Sequence, residues 1–187
     1  FKTFVVLLVL LAAGALFLYV RSGGTIKELG RFLPSELRLD PPASAPQGSW
    51  EASIFFGAPD TDFLIAEKRT LAWDKDPEKR ARLLMTELLR GPAGAAVRTT
   101  PDSTVLRSVS ITSDGLANAD FSAQLASEHP GGSSSELLSV YSIVNTLVFN
   151  IEDIKRVQIL IEGQAIDTIA GHMDCRQPFA PDIKIIK

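Results

Sequence analysis

Gly131-Gly132-Ser133-Ser134-Ser135-Glu136-Leu137-Leu138-Ser139-Val140-Tyr141-Ser142-Ile143-Val144-Asn145-Thr146-Leu147 decides how the rest of the chain must be arranged. Two glycines permit a turn, and an apolar helix follows. Ser133 and Glu136 stand at the S-x-x-E spacing of a capping box, in which hydroxyl and carboxylate each satisfy an orphan backbone donor. Leu137, Val140, Tyr141, Val144, Leu147 and Val148 recur at three- and four-residue steps, which is one helix face. Leu138 and Ile143 widen that face, so the helix is expected to be buried on more than one side. Asn145 sits amid apolar neighbours. Buried amides are hydrogen-bonded, so Asn145 is expected to bond the protein's own backbone; a contact to a ligand or partner is the alternative.

The segments around this helix read as strands, hairpins and one more helix. Downstream, Val157 to Ile161 is a strand rich in branched residues. Glu162-Gly163 turns it into Ala165 to Ile169. Gly171 to Asp182 reads as mostly irregular, and Ile183 to Ile186 as a last short strand or a tail. Upstream, Asp114-Gly115 is a hairpin signal between Val105–Ile111 and Leu116–Phe121. Asp76-Pro77 starts a helix, with aspartate as cap and proline at the first helical position. Its apolar face is Ala81, Leu84, Met85, Leu88 and Leu89, and Gly91-Pro92 ends it. Trp50 to Phe56 is the first strand. Phe63 to Ala66 and Arg69 to Trp73 form a strand pair or one long irregular strand. The order predicts an α+β fold, with two helices packed on one face of a largely antiparallel sheet.

Composition narrows the function. The chain has 187 residues and a net charge of -3. Its lysines and arginines form no dense run, which speaks against nucleic acid as a partner. One cysteine and two histidines are present, too few for a disulfide or for a cysteine- or histidine-rich metal centre. No cofactor is expected. Phe4 to Val20 is an uncharged apolar run between Lys2 and Arg21. It reads as an uncleaved membrane anchor over residues 1–21, with a signal peptide cleaved near Ala13-Gly14-Ala15 as the rival. Residues 22–49 are a proline-rich linker, with a short amphipathic piece at Ile26 to Leu33. As a coil it would hold the domain on the order of 30 Å from the anchor. Residues 50–182 form the domain and 183–187 a tail.

The candidate chemistry is sparse. Ser133, Ser134 or Ser135 would need a base, and His129 and His172 are the only histidines, with Asp174 or Asp120 to orient one of them. No G-x-S-x-G elbow accompanies the serines. Gly131, Gly132 and Ser133 at a helix N-terminus could hold an anion or a glycan ligand. The lysine of a Walker pattern is missing, and capping would use the same donors. His172 lies in Ala170-Gly171-His172-Met173-Asp174, where it is expected to pin a loop over the core.

Several segments, in order, resemble a GerM-type (GerMN) domain. They are the first strand ending at Phe56 with Asp60 and Phe63-Leu64 after it, the Glu67-x-Arg69 step, and Glu87-Leu88-Leu89-Arg90-Gly91-Pro92. The Asp114-Gly115 hairpin with Ala119-Asp120-Phe121-Ser122 follows, then the run from Glu136 through Tyr141 and Asn145 to Leu147. Val157-Gln158-x-Leu160-Ile161-Glu162-Gly163, Ala170-Gly171-His172-x-Asp174 and Pro178-Phe179 complete the series. Such domains are known from bacterial spore germination and sporulation proteins and from envelope lipoproteins. The resemblance implies a fold related to the ring-building modules of secretion and sporulation complexes. It makes Glu136, Tyr141, Asn145 and His172 signature residues, and it implies no enzymatic activity. It further implies a single-pass protein of the bacterial cytoplasmic membrane whose C-terminal domain is extracytoplasmic. Its partners would be other envelope proteins or a second copy. Two features depart from the family pattern: a hydrophobic run stands where a lipidated cysteine would be, and one domain copy is present.

Overall fold

The computed structural model of the chain describes residues 48–187. The expected anchor at Phe4–Val20, the linker and the amphipathic piece at Ile26–Leu33 lie outside the described residues. Among those described, no helix is long and apolar enough to cross a membrane.

The domain opens with an antiparallel hairpin of β1 (Ser49–Gly57) and β2 (Leu64–Ala72), in register from Ser49–Ala72 to Gly57–Leu64. The irregularity expected within β2 is absent. Period two runs from Ile65 to Ala72, and the inward charges Glu67 and Arg69 are paired with each other at 2.6 Å and have no need to turn out to water.

Helix α1 (Pro77–Arg90) begins as its sequence dictates, with the Asp76 carboxylate accepting the Glu78 N–H at 2.9 Å and proline at the first position. Its end is closed with unusual completeness. The Gly91 N–H donates to the Leu88 carbonyl at 3.0 Å. Arg69 donates to the carbonyls of Glu87 and Gly91 at 2.9 and 2.6 Å. Arg98 donates to those of Leu89 and Arg90 at 2.5 and 2.6 Å. Two guanidinium groups thus sit at the negative end of the helix dipole.

The second sheet contains β3 (Leu106–Ile111), β4 (Leu116–Phe121), β5 (Arg156–Ile161) and β6 (Gln164–Ala165), in that spatial order. Gly115 makes the β3–β4 turn at φ 87°, and a Cβ there would stand 2.8 Å from the Asp153 carbonyl oxygen. A short helix α2 (Gln124–Ser127) and the long helix α3 (Ser133–Val148) connect β4 to β5. Such a crossover leaves those two strands parallel.

The expectation of one largely antiparallel sheet is therefore corrected to two sheets, the larger with a parallel pair at its centre. The reason lies on the outer edge of β1. Asn150 accepts the Ser53 N–H at 2.8 Å and donates to the Ser53 carbonyl at 2.7 Å. Thr146 Oγ1 accepts the Phe55 N–H at 3.1 Å. Gly57 exchanges backbone bonds with Val97 at 2.9 and 2.7 Å. Side chains of α3 and a loop occupy the groups that would otherwise extend the ladder. The two helices instead share one core with β1 and the larger sheet, around Ile54, Phe56, Leu84, Ile143, Phe121 and Ile159.

The strand expected over Ala165–Ile169 stops at Ala165. Residues 183–185 form a 3-10 turn rather than a strand. After it Ile186 bridges Leu64 in parallel, and Ile185 is buried with Phe55 and Leu64.

Candidate functional site

The sequence pointed to the N-terminal half of α3. Gly131 and Gly132 enter it at φ 80° and 89°, a backbone that side-chain-bearing residues avoid. The capping box is not formed. Gly132 is the cap residue, Ser133 is already helical, and no side chain caps this end. Ser134 donates to Asp62 at 3.0 Å across to the β1–β2 loop.

Glu136 does something the spacing rule did not anticipate. It is fully buried. Its Oε1 accepts the Thr168 hydroxyl at 2.6 Å and the N–H groups of Ile169 and Ala170 at 2.9 and 3.0 Å. Its Oε2 accepts the His172 N–H at 2.8 Å and lies 3.4 Å from the His172 ring. Burial by itself pushes this carboxyl up. The bonds from Thr168, Ala170, His172 and Met173 outweigh it and bring the carboxyl down to about 2. The loop that failed to become a strand has given its N–H groups to one carboxylate. His172 itself is half exposed at the surface of that loop.

The other histidine is joined to a serine the sequence reading passed over. His129 Nε2 lies 2.9 Å from Ser139 Oγ, and its Nδ1 accepts the Gly131 N–H at 3.1 Å. A Nδ1 that accepts leaves the proton on Nε2, so the ring donates to Ser139. Ser139 in turn donates toward the carbonyls of Thr99 and Ser135. General-base catalysis needs the reverse, with Nε2 free to take a hydroxyl proton and Nδ1–H held by an acid. Ser139 is also fully buried, and burial lowers the His129 pKa against the opposing charge of Glu136. Neither histidine bonds Ser133, Ser134 or Ser135 among the described residues.

Asn145 is fully buried, donates to the Asp182 carbonyl at 3.0 Å and accepts the Asp182 N–H at 3.1 Å. Ser142 accepts from Thr99 Oγ1 at 2.7 Å and donates to the Ser139 carbonyl at 2.9 Å. Glu136, Ser139, Ser142 and Asn145 follow one another at three-residue steps; Glu136 ties the 168–172 loop to α3, Ser139 and Ser142 both tie Thr99, and Asn145 ties Asp182. That polar series was the signal in the sequence, hidden behind the apolar one. Tyr141 lies against Phe179, edge to face, with ring centroids 6.1 Å apart.

Among the described residues no three His, Cys, Asp or Glu side chains converge to hold a metal ion. Cys175 is buried, and burial pushes its thiol up to about 11, away from reactive thiolate chemistry. An open hollow of about 330 Å³ lies over the Glu136 loop, lined by Asp167, Thr168, Gly171, His172, Asp174 and Arg176. Two of its charges, Arg176 and Asp174, pair with each other at 2.7 Å.

Fold and site together define a small α+β domain whose central helix spends its polar groups on the domain's own loops. A family model described as Germane, sporulation and spore germination, matches residues 53–167. The chain belongs to that family and carries a GerMN-type domain. Among solved structures, a lipoprotein candidate from Clostridium perfringens is 25% identical at a TM-score of 0.52, covering 74% of this chain and 91% of that one. The first GerMN domain of the sporulation protein GerM from Bacillus subtilis is 20% identical at a TM-score of 0.51, covering 72% and 98%. The tandem GerMN domains of the same protein match at 19% identity and a TM-score of 0.52, covering 73% of this chain. The chain spans 46% of that tandem, about half its length. No curated protein matches.

Proposed function

We propose that this chain is a non-enzymatic, membrane-anchored, extracytoplasmic domain of the bacterial envelope. It works by pairing with other envelope proteins or with a second copy, as a sporulation- and germination-type module. The apolar run Phe4–Val20 and the likeness to a lipoprotein candidate support the membrane placement.

One observation carries the pairing: the outer edge of β2. Trp73 N–H bonds the Gly48 carbonyl, and Ala58 N–H bonds the Phe63 carbonyl. The odd-numbered residues of β2 therefore face β1, and Ala66, Lys68, Thr70 and Ala72 turn their backbone groups outward. Among the described residues, none of these four has a backbone partner on that side. The contrast with β1, where three successive edge positions are occupied, is sharp. Lys68, the one charge of the kind that usually protects an edge, is held by Glu51 at 3.1 Å. Beside the edge lies an open hollow of about 420 Å³, bordered by Thr70, Leu71, Gly91 and Pro92. An added strand would gain main-chain bonds from the edge and place a side chain in the hollow.

The test is Thr70→Pro. Proline is tolerated where an edge N–H faces solvent, so the monomer should keep its fold while the edge loses a donor. Sedimentation of the full chain in detergent, alone and with envelope extract, should show complexes that Thr70→Pro abolishes. Complexes that persist unchanged in the variant, or wild-type chain that stays monomeric and unpartnered, would overturn the reading.

A further inference from the structure

Helix α1 turns to solvent a face that carries cations and no carboxylate. Lys79, Arg82, Thr86 and Arg90 are its exposed positions there, and at 3.6 residues per turn they share an arc of about 80°. The helix's acids are engaged by the protein, Glu78 at the border of this arc and still exposed, Glu87 in the interior. Glu78 accepts the Ile111 N–H at 2.9 Å, and Glu87 is buried against Arg69 at 2.8 Å. Arg82 enters no ion pair among the described residues. Lys79 reaches Asp74 at 3.5 Å yet keeps 59% of its side chain exposed, and Arg90, paired with Glu87, keeps 71%.

Beyond the N-terminal end of the helix, packed against Arg80, stands an aromatic group. Trp73 is 37% exposed, with the Arg80 guanidinium 4.3 Å over its ring and Trp50 edge-on at 6.0 Å. Trp73 also marks where the chain enters the domain, since its N–H bonds the Gly48 carbonyl at 3.1 Å. The sequence that leads into Gly48 carries the uncharged run Phe4–Val20. Tryptophan settles at headgroup depth, and lysine or arginine beside a membrane is drawn to anionic lipid.

We propose that this face of α1, with Trp73 at its leading end, lies against an anionic phospholipid surface. The occupant follows from charge complementarity and from the tether: the domain is joined beside Trp73 to a stretch suited to a bilayer. The surface adjoins the β2 edge, since Arg90 also lines the hollow beside it and Trp73 directly follows Ala72, so lipid contact and protein pairing draw on neighbouring residues. The inference rests on the membrane attachment proposed above.

The chain's two tryptophans, Trp50 and Trp73, both belong to this cluster, which supplies the probe. The full chain is incorporated into vesicles of phosphatidylcholine alone, or with phosphatidylglycerol, each carrying brominated acyl chains that quench nearby indoles. The expected result is blue-shifted, quenched emission in the anionic vesicles at low salt, reversed by high salt. In the combined variant Lys79→Gln, Arg82→Gln and Arg90→Gln the quenching is mostly lost. Near-UV circular dichroism reports whether that variant keeps its fold, and if it does not, the wild-type salt response decides. Unquenched emission in anionic vesicles, or equal quenching in neutral ones, overturns the proposal. A chain that enters neither vesicle would instead defeat the membrane attachment.

Discussion

Glu136 brings a charge into the interior and holds it there with donors from one loop. A buried carboxylate with four such bonds is stable only while ionised. Its folded pKa, about 2, lies below the ordinary glutamate value of 4.5. In that window the unfolded chain binds a proton that the folded chain does not. This contribution to stability is complete above about pH 4.5 and is lost as pH falls toward 2. Glu136→Gln should cost about 2–3 kcal/mol at neutral pH and flatten the acid limb of the melting temperature against pH. An unchanged melting temperature would contradict the bonding described. His129 gives a second prediction at this scale. Nitrogen-15 shifts of its ring at neutral pH should show the proton on Nε2, with Nδ1 bare. A Nδ1–H tautomer would reopen a role for Ser139 as a nucleophile.

Elements were legible in the sequence where their ends are written locally. Asp76-Pro77 and Gly91 bound α1, and Asp114-Gly115 makes the β3–β4 turn, because a cap or a positive φ needs particular residues at particular positions. Gly115→Ala should cost at least about 1–2 kcal/mol, since it adds strain at φ 87° to a 2.8 Å clash with Asp153. Thermal melts would check it. What the sequence hid was long-range. The S-x-x-E spacing is the same whether Glu136 turns back to its own helix or reaches a loop some thirty residues on, and the loop's free N–H groups win because burial makes them the costlier to leave bare. Arg69 likewise read as one residue of a strand. It bonds Glu67, Glu87 and Gly91, tying β2 to the end of α1. Arg69→Lys keeps the charge but not the planar fork, and a loss of about 2–3 kcal/mol in denaturant unfolding is expected.

At the scale of the molecule, two facts belong together. Helix α3 and Asn150 just beyond it cover one edge of the hairpin with their side chains, and the other edge is left open from Ala66 to Ala72, past the Leu64 end where the C-terminal residues pair. The first splits the anticipated single sheet into two. The second gives the domain a surface on which a strand can be added. Neither is visible to periodicity, because Thr146 and Asn150 show their use only once β1 lies beside them. The family membership sets the context of sporulation and spore germination domains, and the open edge supplies the physical means of pairing. The most direct test places a photo-crosslinking side chain at Thr70, on the open edge, and at Glu152, on an exposed loop, in the full chain within its native envelope. Protein adducts from Thr70 and none from Glu152 are the predicted result. No adduct from Thr70, or equal adducts from both positions, would contradict pairing through β2.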